Sequence, residues 1–282
     1  MGHLRTKMEQ DMLIRGISER TARHYLGTVE RLTRHYGRPP DTLTLPEVEG
    51  YLGYLRQERQ LTLGSLATVV TGLRFFYEVT LGRARSDFFI PAPKIPQTQP
   101  YVLSRPEVAR LLAETEHRRD RALLMTTYAA GLRVSEVVAL KVSDLDHERM
   151  LMRIDQGKGA KDRYTLLSER LLAELRAYWR VFRPPQWVFP GQDAECPLSK
   201  RTAERIYTRA ARRARITKPG SIHSLRHAFA THLVDAGVDL HTIQCLMGHS
   251  CIETTTRYLH LAPRSLARRG SLCDLLDFEP DA

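Results

Sequence analysis

A chain of 282 residues is long enough for two domains of ordinary size, and 42% hydrophobic content supports buried cores, which excludes wholesale disorder. A formal net charge of +11, from 43 Lys+Arg against 32 Asp+Glu, points to a polyanionic partner, nucleic acid before an anionic membrane surface. No apolar run approaches the ~18 residues of a membrane span, and the N-terminus lacks a signal-peptide core.

The four cysteines, Cys196, Cys245, Cys251 and Cys273, show no CxxC pairing and read as free thiols of a reducing compartment, so a cytoplasmic protein with no membrane association is expected. Met1-Gly2-His3-Leu4-Arg5-Thr6 fits a myristoylation pattern short enough to arise by chance.

Residues 1–89 read as a helical module. A leading helix is expected near Met8 to Ile14. Ser18 caps a helix whose Ala22, Tyr25, Leu26, Val29 and Leu32 recur at helical spacing before Gly37 and Pro39 stop it. Thr44 and Glu47 form a capping box around Pro46, with Val48, Tyr51, Leu52 and Leu55 inward. Leu66, Val69, Val70, Leu73 and Phe76 mark a fourth helix running to Gly82. Arg20, Arg23, Arg31, Arg34, Arg56, Arg59 and Arg74 decorate the other faces; each alone fits a solvated surface, and only their sum favours DNA. Residues 90–100, IPAPKIPQTQP, hold four prolines and read as a stiff linker to a second domain, 101–282.

That domain opens with a second capping box, Ser104 and Glu107, ahead of helices over Val108–Glu114 and Arg119–Ala130. Gly131 supplies a left-handed stop, Arg133 follows it, and a short helix covers Ser135–Leu140. Arg133 is either a positioned charge or a surface arginine after a turn. From Arg149 the apolar period switches to two: Met150, Met152 and Ile154 alternate with Leu151, Arg153 and Asp155, and QGKGAKD turns the chain into RYTLL. This predicts a β-hairpin whose Gly-flanked Lys158 is either merely solvated or swung into a cleft. Ser168–Tyr178 is helical, and a short strand or turn is expected at Trp187–Phe189. Ser199–Ile216 is a helix carrying Lys200, Arg201, Arg205, Arg209, Arg212, Arg213 and Arg215 against Glu204, a density that suits a phosphate-facing surface. Three helices complete the pattern: His223–Ala236, Asp239–Met247 and Glu253–His260. The fold class is mainly α with a small β-sheet (α+β).

Ser221–His260 gathers His223, Arg226, His249 and Tyr258 in under forty residues. Cleaving a phosphodiester without a metal needs a nucleophile, neutralisation of the non-bridging oxygens and an acid for the leaving oxygen. A phenol of pKa ~10 attacks poorly unless its proton is taken or the phosphate made electrophilic. Two guanidiniums, Arg133 and Arg226, can grip phosphate oxygens as charge develops. Lys158 can protonate the leaving group, His223 and His249 can handle protons, and Tyr258 can attack.

GLRVSE at Gly131–Glu136, the GKGAKDR hairpin, HSLRHAFATHL from His223, LMGH at Leu246–His249 and TTTRYLH at Thr254–His260 resemble the boxes of the tyrosine recombinase (phage integrase) family. The five boxes span the second domain in the right order, and the first domain looks like that family's helical core-binding domain. The resemblance implies a site-specific recombinase that needs no cofactor. It implies Arg133 and Arg226 as catalytic arginines, Lys158 as general acid, His223 and His249 as the histidine positions, Glu136 as a supporting acid and Tyr258 as nucleophile. The product would be a 3′-phosphotyrosyl link with a free 5′-hydroxyl, rejoined without ATP. Such enzymes act on double-stranded DNA as homotetramers, pairing two duplexes through a Holliday junction. Their C-terminal segments often dock on a neighbour; here Leu272, Leu275, Leu276 and Phe278 suit that role or packing on their own domain. The chain looks closer to Xer-type or integron- and transposon-associated members than to large phage integrases, with Met247 where leucine is usual.

Three rivals stand beside this reading. Cys245, His249, Cys251 and His260, or His223 and His227, are near enough in sequence for a metal but match no zinc spacing. A catalytically silent DNA-binding relative would keep fold and charge, and type IB topoisomerase relaxation uses the same groups. If basic faces track the backbone, duplex binding followed by fluorescence anisotropy weakens with a log–log salt slope of about −0.9 per phosphate neutralised; a salt-independent complex removes that claim.

Overall fold

The computed structural model describes residues 2–96, 101–155, 162–249, 251–256 and 258–259. The chain divides into two compact units at Thr98–Gln99, inside the proline-rich stretch.

In the first unit, helices α1 (Gly2–Ile14), α2 (Glu19–Tyr36), α3 (Leu45–Gln57) and α4 (Leu63–Arg74) surround one apolar core, and α4 continues into a π-helical turn, Phe75–Thr80. The caps work as their chemistry requires. Ser18 Oγ accepts the Thr21 N–H at 3.4 Å, and Glu47 accepts the Thr44 N–H at 2.8 Å. Met8, Met12, Val29, Leu32, Val48, Val70, Leu73 and Phe76 fill the interior. The leading helix begins six residues earlier than the apolar pattern suggests; Met8 and Met12 are buried, Leu4 packs partly against the core, and Leu13 and Ile14 are exposed.

Two details depart from the sequence reading. Ile90, first residue of the proline-rich stretch, is buried in this core with Phe88. Arg74, expected on an exposed face, is half-buried, and its Nε donates to the Ile90 carbonyl at 2.8 Å. Six other arginines, Arg20, Arg23, Arg31, Arg34, Arg56 and Arg59, are exposed.

The second unit packs α5 (Arg105–Ala113), α6 (Arg118–Ala129), α7 (Val134–Val138), α8 (Glu169–Phe182), α9 (Lys200–Arg213), α10 (His223–Asp235), α11 (Leu240–Met247) and α12 (Glu253–Thr256) around a three-stranded antiparallel sheet. Strands β1 (Leu145–Asp146), β2 (Leu151–Ile154) and β3 (Arg163–Leu166) lie in sequence order, with Met152 opposite both Leu145 and Thr165, and Ile154 opposite Arg163. The period-two pattern predicted β2 and β3. β1 has only two residues, too few to print a pattern of its own. Met152 and Ile154 turn inward, as does Thr165, whose hydroxyl donates to the Ala130 carbonyl at 3.0 Å. Buried α6 is the centre: Leu123 and Leu124 are fully enclosed, with α8 and α10 packed against this helix. The helix from Ser168 runs on to Phe182, past the expected Tyr178, and Trp187 forms a single bridge with Lys141.

Helix α9 separates its faces cleanly. Ala203, Ile206, Tyr207 and Ala210 are buried, whereas Lys200, Arg201, Arg205, Arg209 and Arg212 are all exposed. Among the described residues, no helix is long and apolar enough to cross a membrane.

One buried hydrogen bond offers a direct check on the first unit. Tyr77 is fully enclosed, and its hydroxyl donates to the Pro40 carbonyl at 2.7 Å. Tyr77→Phe should lower stability by about 0.5–1.5 kcal/mol in urea unfolding, because the Pro40 carbonyl then keeps only its long 3.4 Å bond from the Leu43 N–H.

Candidate active site

The site is assembled from the ends of elements. Gly131 closes the chain after α6 with φ +61°, and a Cβ there would lie 2.4 Å from the Phe229 ring, so no other residue fits both the backbone and the packing. The chain then rises to Arg133, whose N–H donates to Glu136 Oε2 at 2.8 Å and starts α7.

Glu136 is the hub. Its side chain is 5% exposed and receives three guanidiniums. Arg133 Nη1 donates to Oε1 at 2.6 Å, and Arg163 donates bidentately at 2.9 and 2.8 Å. Arg226 Nη1 stands 3.7 Å from Oε2. Burial pushes the Glu136 carboxyl upward, but the hydrogen bond and charge of Arg163, the Arg133 N–H and the charge of Arg226 outweigh it and hold it down at about 2.

The same three arginines meet the C-terminal end of α11. Arg163 Nε donates to the Leu246 carbonyl at 3.0 Å, Arg226 Nη2 to Met247 at 2.6 Å and Arg133 Nη2 to Gly248 at 3.1 Å. These are carbonyls that a helix leaves unpaired at its negative end, so three cations there satisfy both hydrogen bonding and the dipole. Gly248 has φ +61°, and a Cβ on it would meet Arg163 Cδ at 2.7 Å. Arg226 also donates to the Gly131 carbonyl at 2.5 Å. Its burial, and then the neighbouring Arg133, draw the guanidinium down to about 9 while Glu136 opposes them, so it remains cationic at neutral pH. Three guanidiniums against one carboxylate leave this cluster net positive, which suits a phosphate.

His249 follows Gly248, its Nδ1 2.9 Å from the Thr255 hydroxyl. Burial, then Arg226 and Arg133, pull His249 down to about 4, so its ring is neutral at pH 7. His223 starts α10, its N–H donating to Ser221 Oγ at 3.3 Å, and burial lowers its pKa as well. Tyr258 is 4% exposed and packs with Phe229, Val234, Ile243 and Met247. Its ring lies 6.4 Å from that of His249 with planes 11° apart, and its hydroxyl is 3.0 Å from His227 Nδ1.

The fold thus brings Arg133, Glu136, Arg226, His223, His249 and Tyr258 into one region. Lys158 lies outside the described residues, as do His260 and the apolar C-terminal segment with Leu272, Leu275, Leu276 and Phe278. The exposed basic residues of α9 face solvent apart from this cluster. Among the described residues, no group of three or more His, Cys, Asp or Glu side chains is placed to hold a metal ion, and Cys245 Sγ stands 3.7 Å from Nε2 of His241, a residue outside the sets weighed from the sequence.

The sequence motifs gave two participants no part in this cluster. Arg163 shares the inward face of β3 with Thr165, and a charge on that face must find partners. The signal was therefore present in the alternation. His227 sits four residues after His223 on α10 and one after Arg226, a spacing that gave no hint of contact with Tyr258.

A phage integrase family model matches residues 102–264, and a phage integrase N-terminal SAM-like domain matches residues 4–87. The proposed integrase/recombinase y4qK of Sinorhizobium fredii is 42% identical over 280 residues, covering 98% of this chain and 90% of that one. Tyrosine recombinase XerD of Shewanella oneidensis is 34% identical over 267 residues, covering 88% of each. A lambda integrase tetramer bound to a Holliday junction shares the fold, with a TM-score of 0.73 at 18% identity over 91% of this chain and 76% of that one. The chain belongs to the phage integrase family, the tyrosine recombinases. Its activity is site-specific DNA recombination.

The Glu136 hub predicts an acid-dependent stability. A carboxyl held at about 2, against an ordinary 4.5, contributes on the order of 3 kcal/mol that is complete above the unfolded value. It is lost as pH falls from 4.5 through about 2. Glu136→Gln should cost about 3–5 kcal/mol at pH 7 in urea unfolding, since it strands buried cations. The gap to wild type should shrink through that acid window; a constant gap would show that the ionised carboxylate is not what holds the arginines.

Proposed function

We propose that Tyr258 attacks the scissile phosphate of a DNA duplex, forming a 3′-phosphotyrosyl bond and releasing a 5′-hydroxyl. Arg133 and Arg226 grip the non-bridging oxygens and stabilise the charge of the pentacoordinate transition state. Lys158 protonates the leaving 5′-oxygen, and His223 and His249 supply hydrogen bonds around the phosphate. One phosphoester replaces another, so rejoining needs no ATP. A second duplex supplies the incoming strand within a homotetramer, an assembly supported by the lambda integrase tetramer on a Holliday junction. The exposed face of α9, with Lys200, Arg201, Arg205, Arg209 and Arg212, tracks the duplex backbone. Its place of action in this reading is the cytoplasm, which its bacterial DNA-recombining relatives support.

The observation that carries this reading is the packing of Tyr258 beside His249 in the same cluster whose guanidiniums are held on Glu136 and the end of α11. A positioned donor costs little to reorganise when charge develops, and losing one such group slows reactions by roughly 10²–10³.

The test works without a defined recombination site. A library of nicked random-sequence duplexes is incubated with the protein in EDTA, and covalent adducts are separated under denaturing conditions and sequenced. Wild type should yield adducts on a defined sequence, and Tyr258→Phe should yield none while retaining non-covalent binding. An adduct that survives Tyr258→Phe, or that forms only with added Mg²⁺, overturns the mechanism.

A further inference from the structure

We propose that Glu204, the only acidic residue of the basic helix α9, is a positioning residue for strand cleavage, anchoring the start of α10 so that His223 is held in register with Arg226. This rests on the reading of His223 as a residue of the site.

A lone acidic side chain on a basic helix is ordinarily a solvated partner for cations three or four positions away. Glu204 is used otherwise. Lys200, Arg201 and Arg205 around it are exposed, whereas Glu204 is half-buried. Its Oε2 accepts the Ile222 N–H at 3.1 Å, across 18 positions of sequence.

That N–H needs such a partner. Ile222 is wholly buried and is the residue from which α10 begins, with no side-chain cap of its own. The first N–H groups of a helix have no acceptor within it, and a buried one left unpaired is costly. Its neighbours are satisfied locally. Ser221 N–H donates to Ser224 Oγ at 3.2 Å, His223 N–H to Ser221 Oγ at 3.3 Å and Ser224 N–H to the Ser221 carbonyl at 2.8 Å. From Ser221 to Ser224, the Ile222 N–H alone is satisfied from another helix. A carboxylate also suits the positive end of the α10 dipole.

Tyr207 adds a second point of attachment. It lies one turn beyond Glu204, is buried, and its phenol hydrogen-bonds the Ser224 side chain. Gly220 keeps this contact open, since a Cβ there would stand 2.4 Å from Ser224 Oγ and 3.2 Å from the Tyr207 oxygen. Helix α9 therefore holds Ile222 and Ser224, the two residues that flank His223. Three residues on, Arg226 is fixed by the Gly131 and Met247 carbonyls. The carboxylate also reaches the imidazole through its charge. Burial lowers the His223 pKa, Glu204 and then Glu136 oppose it, and Arg226 and Arg133 reinforce it. One helix thereby ties the grip on the duplex, on its outer face, to the placement of a site residue on its inner one.

The experiment is single-turnover cleavage of the captured nicked substrate, with thermal melting and non-covalent DNA retention confirming the folding of each variant. Glu204→Ala should slow cleavage by about 10–10²-fold, the order that a small displacement of a reacting group costs. Glu204→Gln, whose amide oxygen still accepts the Ile222 N–H, should regain most of that rate. A double-mutant cycle locates the action: in a His223→Ala background, Glu204→Ala should cost little more. Should Glu204→Ala not fold, Glu204→Asp, which keeps the charge but withdraws the acceptor by one methylene, takes its place with the same expectations. A folded Glu204→Ala that cleaves at the wild-type rate overturns the proposal. So do losses that add in full with His223→Ala, or a Glu204→Gln no faster than Glu204→Ala. Wild-type cleavage by His223→Ala alone instead removes His223 from the site, a separate failure.

Discussion

Three arginines share one carboxylate and one helix end in the second unit, and the candidate site depends on that arrangement. Arg133, Arg163 and Arg226 would repel each other strongly if simply gathered in a partly buried region. Glu136 offsets part of that repulsion, and the terminal carbonyls of α11 at Leu246, Met247 and Gly248 offset more, one carbonyl per guanidinium. Glycine at both Gly131 and Gly248 is a consequence, because their backbones turn left-handed where a side chain would strike Phe229 or Arg163. The result is positive charge fixed in place without substrate, which is the condition for electrostatic stabilisation at little reorganisation cost.

This framework also explains the division of labour along α10. Its inner face holds Leu225 and Ala228 in the core, and its active-site face carries His223, Arg226 and His227. A helix locked by core packing aims these groups better than a loop would. The nucleophile candidate, by contrast, arrives on the last described residues, where α12 has only four residues and the Tyr258 N–H bonds to Thr255. Hydrogen bonding at the phenol and stacking on His249 join that short segment to the rigid part.

The large positive charge serves two purposes. Arg74 binds the Ile90 carbonyl, Arg110 the Ala214 carbonyl at 2.7 Å and Arg105 the His232 carbonyl at 3.2 Å, so part of it caps backbone within each unit. The planar, multidentate guanidinium suits that task. The exposed row on α9 and the exposed arginines of α2 and α3 are among the charges left for a polyanion. Net charge therefore points to the kind of partner but overstates the number of contacts available to it.

Local chemistry in the sequence determined the helices, because apolar spacing, Ser and Thr caps and glycine stops each act within a few residues. It also determined that Arg133, Glu136, His223, Arg226, His249 and Tyr258 belong together, since their motifs are short and ordered. Tertiary structure alone decided the rest. Arg163 meets Leu246 across 83 positions and His227 meets Tyr258 across 31, and neither pairing leaves a periodic trace. The two-residue β1 exists only because β2 offers it a ladder. Arg74 became structural because the chain folds back at Ile90. Each is a contact between ends of elements, and local periodicity says which face a residue takes but not what will be brought against it.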